Sequence, residues 1–220
     1  MAVLSTTFWR VNPGANAEFM QAAGEAKQIH QRMGAEVAMV TLSSAGSLTG
    51  STAYSMNFAD LGAWARFSDS ALQDAEWQAW VAKYMGSATP NATMLSQTTS
   101  TDLPGVDAPD IPAPGTFMLI AQGQLAPGHT AAEVQSLVSD VASLATELGA
   151  DSVRALRAGA GGENTLRFST LFGFANAQAY ADWQVRYVSD PRGAAANERV
   201  FGPGSPLTNQ AMSFGRVLPI

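Results

Sequence analysis

The stretch Phe58-Ala59-Asp60-Leu61-Gly62-Ala63-Trp64-Ala65-Arg66-Phe67 decides how this chain folds, because its pattern returns 116 residues later. Phe174-Ala175-Asn176 and Tyr180 answer Phe58-Ala59-Asp60 and Trp64 at that spacing. Asp74, Gly86 and Pro90 find Asp190, Gly202 and Pro206 at the same 116, and Met33-Gly34-Ala35 finds Leu148-Gly149-Ala150 at 115. Self-similarity at a fixed period marks a duplicated structural unit. Six apolar positions agree with this. Phe19, Ala22, Ala23, Ala26, Ile29 and Met33, three and four apart, match Val134, Leu137, Val138, Val141, Leu144 and Leu148 at 115. That spacing is the buried face of a helix.

The repeat divides the chain into a unit at 1–101, a linker at 102–115 and a second unit at 116–220. The linker carries Pro104, Pro109, Pro112 and Pro114. Proline fixes φ and removes a donor, so this segment is expected to be an extended, semi-rigid strap.

Each unit reads as strand, helix, strand, strand, helix, strand. In the first, Val3–Val11 is rich in strand formers and Asn12-Pro13-Gly14 breaks it. A helix follows over Asn16–Met33, stopped by Gly34. Glu36–Ser43 and Ser51–Phe58 form a hairpin about a Gly/Ser turn. A second helix starts at Asp60, breaks near Ser68–Ser70 and resumes to Met85, and Thr93–Thr101 is the last strand. The second unit repeats the order with strands Phe117–Gln124, Ser152–Arg157, Leu166–Phe174 and Asn209–Val217. Its helices are Thr130–Leu148 and Asn176–Phe201, the latter broken at Asp190-Pro191. The expected fold class is α+β: two tandem ferredoxin-like βαββαβ units. Each such sheet has helices on one face only, so the two sheets are expected to cover each other as an intramolecular α+β barrel.

The composition narrows the function. Of 220 residues, 46% are hydrophobic and only 14% are charged, against about 25% in a typical globular domain. So little surface charge implies surface hidden between the halves or in a homo-oligomer. The net charge is −6, with the basic residues scattered. No basic stripe exists for counterion release on nucleic acid, and an acidic surface disfavours anionic membranes. The absence of cysteine removes disulfides, thiolate metal sites and a cysteine nucleophile. No signal peptide or membrane-spanning run is read, so the expected compartment is the cytoplasm.

The pattern Phe58 to Phe67 followed by Asp74-Ala75-Glu76-Trp77 resembles the dimeric α+β barrel superfamily, present as a fused pair. It is similar to the NIPSNAP-like, EthD-like and antibiotic-biosynthesis-monooxygenase-like branches, and the resemblance spans residues 3–101 and 116–217. It implies ligand binding between helices and sheet. It leaves the reaction open among cofactor-independent oxygenases, haem-degrading enzymes, polyketide cyclases, isomerases and members without known activity. Haem-degrading relatives pair a Trp with a His about ten residues later. This chain departs from that pattern, with Asp74 ten residues after Trp64.

Among candidate residues His30 comes first. It lies at the edge of the first helix's apolar stripe, aimed toward the cleft, while its counterpart 115 residues on is Ala145. Histidine serves as general base or hydrogen-bond donor near neutral pH. The competing reading is a helix-edge His turned to water. An aromatic set follows. Tyr54 and Phe58 share a strand face with Met56, while Trp64 and Phe67 sit three apart on a helix. Trp77, Trp80 and Tyr84 continue at three and four. These seven could line a pocket for a flat apolar or aromatic ligand, or simply pack a core. Gly193 and Ala196 stand where the second half would repeat Trp77 and Trp80, so the first half is the expected site.

Ser55 and Asn57 lie on the opposite strand face, toward the other sheet. His129, before the helix at Thr130, reads as a loop residue. Gly159-Ala160-Gly161-Gly162 joins two strands and reads as a hairpin turn rather than a phosphate loop. Asp60, Asp69, Asp74 and Glu76 read as helix-start and surface acids. The two histidines lie in different halves with no metal-ligand spacing. No metal and no cofactor is therefore expected. Two readings stand. One is a cofactor-independent monooxygenase, cyclase or isomerase acting through His30 on a small apolar or aromatic molecule. The other is a non-catalytic ligand-binding or assembly protein.

Overall fold

The computed structural model describes residues 1–42, 49–106, 111–161 and 165–220. Among these it shows an α+β fold of eight strands and six helices. In chain order the first half gives β1 (Val3–Val11), α1 (Asn16–Arg32), β2 (Glu36–Leu42), β3 (Thr52–Phe58), α2 (Leu61–Ala71), α3 (Ala75–Tyr84) and β4 (Ala92–Asp102). The second gives β5 (Phe117–Leu125), α4 (Ala131–Glu147), β6 (Ser152–Ala160), β7 (Arg167–Phe174), α5 (Ala177–Ser189), α6 (Pro191–Phe201) and β8 (Leu207–Val217).

Local chemistry sets these boundaries. Gly34 at φ +94° and Gly149 at φ +102° follow α1 and α4, a left-handed conformation that a side chain resists. Thr130 and Glu133 form a reciprocal capping box at the start of α4. Asp60 and Asn176 accept from the backbone N–H three residues on, at the starts of α2 and α5. The break between α2 and α3 falls at residues 72–74, later than the Ser68–Ser70 expected. Asp74 fixes it by accepting from the Trp77 N–H as the cap of α3. Asp190 does the same for α6, with Pro191 at its first position. Of the turn expected between Ser43 and Ser51, residues 44–48 lie, with Ser43, outside the described residues, and Thr49 and Gly50 form a turn.

The strands form one closed barrel in the order β1-β3-β2-β8-β5-β7-β6-β4, with every neighbour antiparallel. The sheets therefore do more than face each other: their edges are hydrogen-bonded together. Within each half the ladders are long, as from Val3↔Phe58 to Trp9↔Thr52 between β1 and β3. Between the halves they are short. β2 meets β8 from Val40↔Val217 to Leu42↔Gly215, and β4 meets β6 from Thr99↔Ala160 to Asp102↔Leu156. Closure removes the free edges that would otherwise template aggregation.

Alternation along each strand divides the barrel into two faces. Residues such as Val3, Tyr54 and Met56 point outward into a core with α1. Leu4, Thr6 and Ser55 point into the lumen. A second core gathers Phe172, Phe174, Trp183 and Tyr187 against α4. The strap begins at Leu103, because β4 continues through Asp102. Leu103 is buried and its N–H donates to the Ala155 carbonyl at 2.9 Å. Residues 107–110, including Pro109, fall outside the described residues. β6 runs to Ala160, so Gly159 and Ala160 belong to a strand rather than a turn. Gly162 lies outside the described residues.

One buried ion pair crosses the β4–β6 seam. Arg154 Nε donates to Asp102 Oδ1 at 2.7 Å, with both side chains 8% exposed. Arg154 Nη2 also donates to Asn57 Oδ1 at 2.7 Å, and Asn57 Nδ2 to Glu36 Oε2 at 3.0 Å. Removing one partner of such a pair strands a buried charge, at a cost of about 3–5 kcal/mol. Arg154→Met is therefore expected to lower unfolding free energy by about that much in urea denaturation. Adding Asp102→Leu to the same variant is expected to restore part of the loss, whereas equal stability of Arg154→Met and the parent would contradict this role.

Candidate ligand-binding site

Between α1, α3 and the outer face of β1, β3 and β4 lies a cavity of about 430 Å³. Its sides are aromatic and aliphatic because the outward residues of β1 and β3 meet the helix stripe. Thr7, Trp9, Tyr54 and Met56 come from the strands, Ala23 and His30 from α1, and Trp77, Trp80 and Tyr84 from α3. Leu72, Met85 and Met94 also contribute, and each is exposed to solvent. They mark the cavity's open side.

His30 is 4% exposed, so it is not the solvent-turned histidine of the competing reading. Its Nδ1 lies 2.8 Å from Tyr54 Oη. The ring packs against Tyr54, Phe67 and Trp77, with centroids at 5.6, 5.4 and 4.5 Å. Burial pushes the imidazole pKa down to about 4, and burial raises that of the Tyr54 phenol. Both groups are neutral at pH 7.

The hydrogen bond bears on which ring nitrogen carries the proton. The Tyr54 hydroxyl has no other partner among the described residues, and buried polar groups are as a rule hydrogen-bonded. The assignment that satisfies it has the O–H donating to Nδ1, with the proton of neutral His30 on Nε2. That N–H makes no hydrogen bond within the protein among the described residues and belongs to a ring that lines the cavity. So low a pKa makes His30 a poor general base and a good neutral donor.

The other predicted residues divide. Tyr54, Phe67, Trp77, Trp80 and Tyr84 line the cavity with His30. Trp77 and Trp80 stack at 4.7 Å with planes 9° apart, and Trp80 Nε1 donates to the Ala22 carbonyl at 2.9 Å. Phe58 and Trp64 are not lining residues. Phe58 is 2% exposed and packs on Phe67 at 5.0 Å, and Trp64 packs against the edge of the same core. Asp74, ten residues after Trp64, caps α3 and pairs with Arg32 at 2.8 Å. His129 lies 3.6 Å from Glu133 at the start of α4. Among the described residues, no cluster of three or more His, Asp or Glu could hold a metal ion.

Thr7 and Trp9 were not among the predicted residues. The alternation of β1, read against its pairing with Tyr54 and Met56 on β3, was the signal that could have found them. The second half has a cavity of about 250 Å³ in the corresponding place, lined in part by Thr170, Tyr180, Trp183 and Tyr187. Counting by the repeat, Trp183 replaces Phe67, Ala145 replaces His30 and Thr170 replaces Tyr54. Trp183 Nε1 donates to the Ala145 carbonyl at 3.1 Å, so a larger indole takes the place of a benzyl group and an imidazole. The polar pair belongs to the first half alone.

A histidine held neutral couples stability to pH. Its folded pKa lies below the unfolded value of 6.5, so the unfolded chain binds the proton first as pH falls. The contribution is complete above about pH 6.5 and declines toward pH 4, by about 3 kcal/mol in all. Unfolding free energies of the parent and His30→Leu, compared across that window, are expected to diverge by that amount, with the parent losing more. Parallel curves would contradict a buried neutral His30.

No protein-family model matches this chain, and no curated protein matches it. Solved structures do. A candidate monooxygenase from Fusobacterium nucleatum superposes with a TM-score of 0.65 at 10% identity, covering 99% of this chain and 93% of that one. A second, from Lactobacillus acidophilus, gives 0.61 at 13% identity over 98% and 93%. An anthrone oxidase-like protein gives 0.60 at 12% identity over 99% and 91%. Identities this low speak to architecture alone, and the architecture is shared almost end to end: the chain has the dimeric α+β barrel fold.

Proposed function

We propose that the chain consists of two fused ferredoxin-like units, and that its first-half cavity binds a flat aromatic molecule bearing a carbonyl or phenolic oxygen. The observation that carries this is the His30–Tyr54 pair: a neutral imidazole whose remaining N–H lacks a partner, set among the aromatic rings of a cavity of about 430 Å³. Trp77 and Trp80 offer faces for stacking, worth about 0.5–1.5 kcal/mol per aromatic pair beyond area burial. The oxygen of the ligand accepts from His30 Nε2–H.

The same geometry supports a cofactor-independent oxygenation, and the names of the structural neighbours point the same way. When a ring CH₂ conjugated to the bound carbonyl loses a proton to water, negative charge gathers on the carbonyl oxygen, where the His30 N–H meets it. The resulting enolate reduces dioxygen. The CH₂ becomes C=O: one oxygen atom of O₂ ends as that carbonyl oxygen, and the other leaves in water with the two hydrogens. Tyr54 holds the imidazole in the tautomer this requires, as a positioning residue.

Titration with 1,8-dihydroxyanthraquinone, followed by quenching of tryptophan fluorescence, tests the binding. Saturable quenching is expected, with affinity reduced about tenfold in His30→Ala, the loss of one hydrogen bond in a desolvated site. Trp64→Phe is expected to bind as the parent does. Affinity indifferent to His30→Ala would remove His30 from the site. With anthrone and dioxygen as substrates, turnover that depends on His30 supports the oxygenase. Binding without turnover leaves the non-catalytic ligand binder as the function.

A further inference from the structure

We infer that the barrel lumen is a second binding site, distinct from the outer cavity, for an amphipathic carboxylate with a medium-length alkyl chain. Eight-stranded barrels of this size are either filled by their own side chains or hold one small ligand. Here the lumen keeps a cavity of about 140 Å³. The vacancy follows from sequence: Ala53, Ser55, Ser152, Ala158, Ser169 and Ser213 all point inward, where larger aliphatic residues would fill the space. At about 30 Å³ per water in the liquid, the space is on the order of five waters.

The rest of the wall suits a chain with a charged end. Leu4, Phe8, Val40, Ile120, Leu156 and Leu171 give it an apolar body. Its hydroxyls are in part self-satisfied, as Thr6 Oγ1 and Ser55 Oγ are 2.9 Å apart and Gln122 Nε2 donates to Ser169 Oγ at 3.3 Å. Arg154 is neutralised by Asp102. Arg167 differs. It lines the lumen, its Nε is buried without a hydrogen-bond partner, and it makes no ion pair among the described residues. Burying such a donor unpaired is costly, and a carboxylate would satisfy it.

Register gives the ligand a direction. On β7, Arg167 pairs with Gln124, whereas Leu171 pairs with Ile120 on one side and Arg154 on the other. Four residues of strand separate the two levels, about 13 Å, the reach of a medium alkyl chain. The carboxylate sits at Arg167, away from Asp102, and the chain runs past Ile120 and Leu171 toward Met118. Ile111 and Pro112 of the strap line the same cavity.

Octanoate is the probe, titrated by calorimetry and by methyl NMR against octanol as the uncharged control. Saturable octanoate binding is expected, with shifts at the Ile120 and Leu171 methyls and none at the Met56 methyl in the outer cavity. Octanol and the Arg167→Met variant are each expected to bind or be bound at least tenfold more weakly. Ser169→Leu, which fills the lumen, is expected to abolish binding in protein that retains its fold. Equal affinity for octanol, indifference to Arg167→Met, or shifts at Met56 with the lumen silent would each overturn the proposal. None of these outcomes depends on His30 or on the aromatic ligand.

Discussion

Barrel closure is the constraint on which the rest of the structure depends. A curved antiparallel sheet of eight strands has no free edge only if its two ends pair, and here the halves pair twice, at β2–β8 and at β4–β6. Each seam carries only three or four residue pairs, so a buried ion pair at one of them has weight. Arg154 reaches from β6 to Asp102 on β4 and to Asn57 on β3. Closure puts one face of every strand into a shared lumen and the other under helices. Two kinds of interior follow: one lumen between the halves, and one helix-covered cavity in each.

Much of this was legible in the sequence because it is periodic. The apolar stripes of α1 and α4, the glycines that stop them and the aspartates that cap α3 and α6 are local features, and local chemistry decides them. The pairing of sheet edges was not legible, because it depends on backbone groups that every residue carries. Asp74 reads as one of the helix-start and surface acids, yet the break between α2 and α3 was expected at Ser68–Ser70. The structure instead uses Asp74, whose side chain accepts from a helix N–H. The exchange of Arg154 between halves could not be foreseen, since Arg154 and Asn57 lie 97 positions apart.

The candidate site was legible as a set of residue types and less so as a geometry. His30 was visible by its asymmetry with Ala145, and its burial follows from the stripe position between Ala26 and Met33. Its partner Tyr54 was visible as an aromatic, but not as the hydroxyl that hydrogen-bonds the imidazole. Phe58 and Trp64 share the chemistry of the lining residues and differ from them only in direction, which the pattern of types does not record. The lumen went unread because its signal is a deficit of bulk: small residues on inward positions of strands from both halves, legible only once the register is known.

The halves thus share a frame and differ in chemistry. Where the first half keeps His30 and Tyr54, the second has Ala145, Thr170 and a larger indole, so of the two cavities only the first is lined by an imidazole. Nitrogen-15 NMR of the imidazoles tests this most directly, since the chain has only two histidines. The expected spectrum shows His30 as the Nε2–H tautomer, unchanged from pH 8 to pH 5. A His30 that titrates near 6.5, with its two nitrogens averaged, would contradict a buried pair at the wall of the outer cavity.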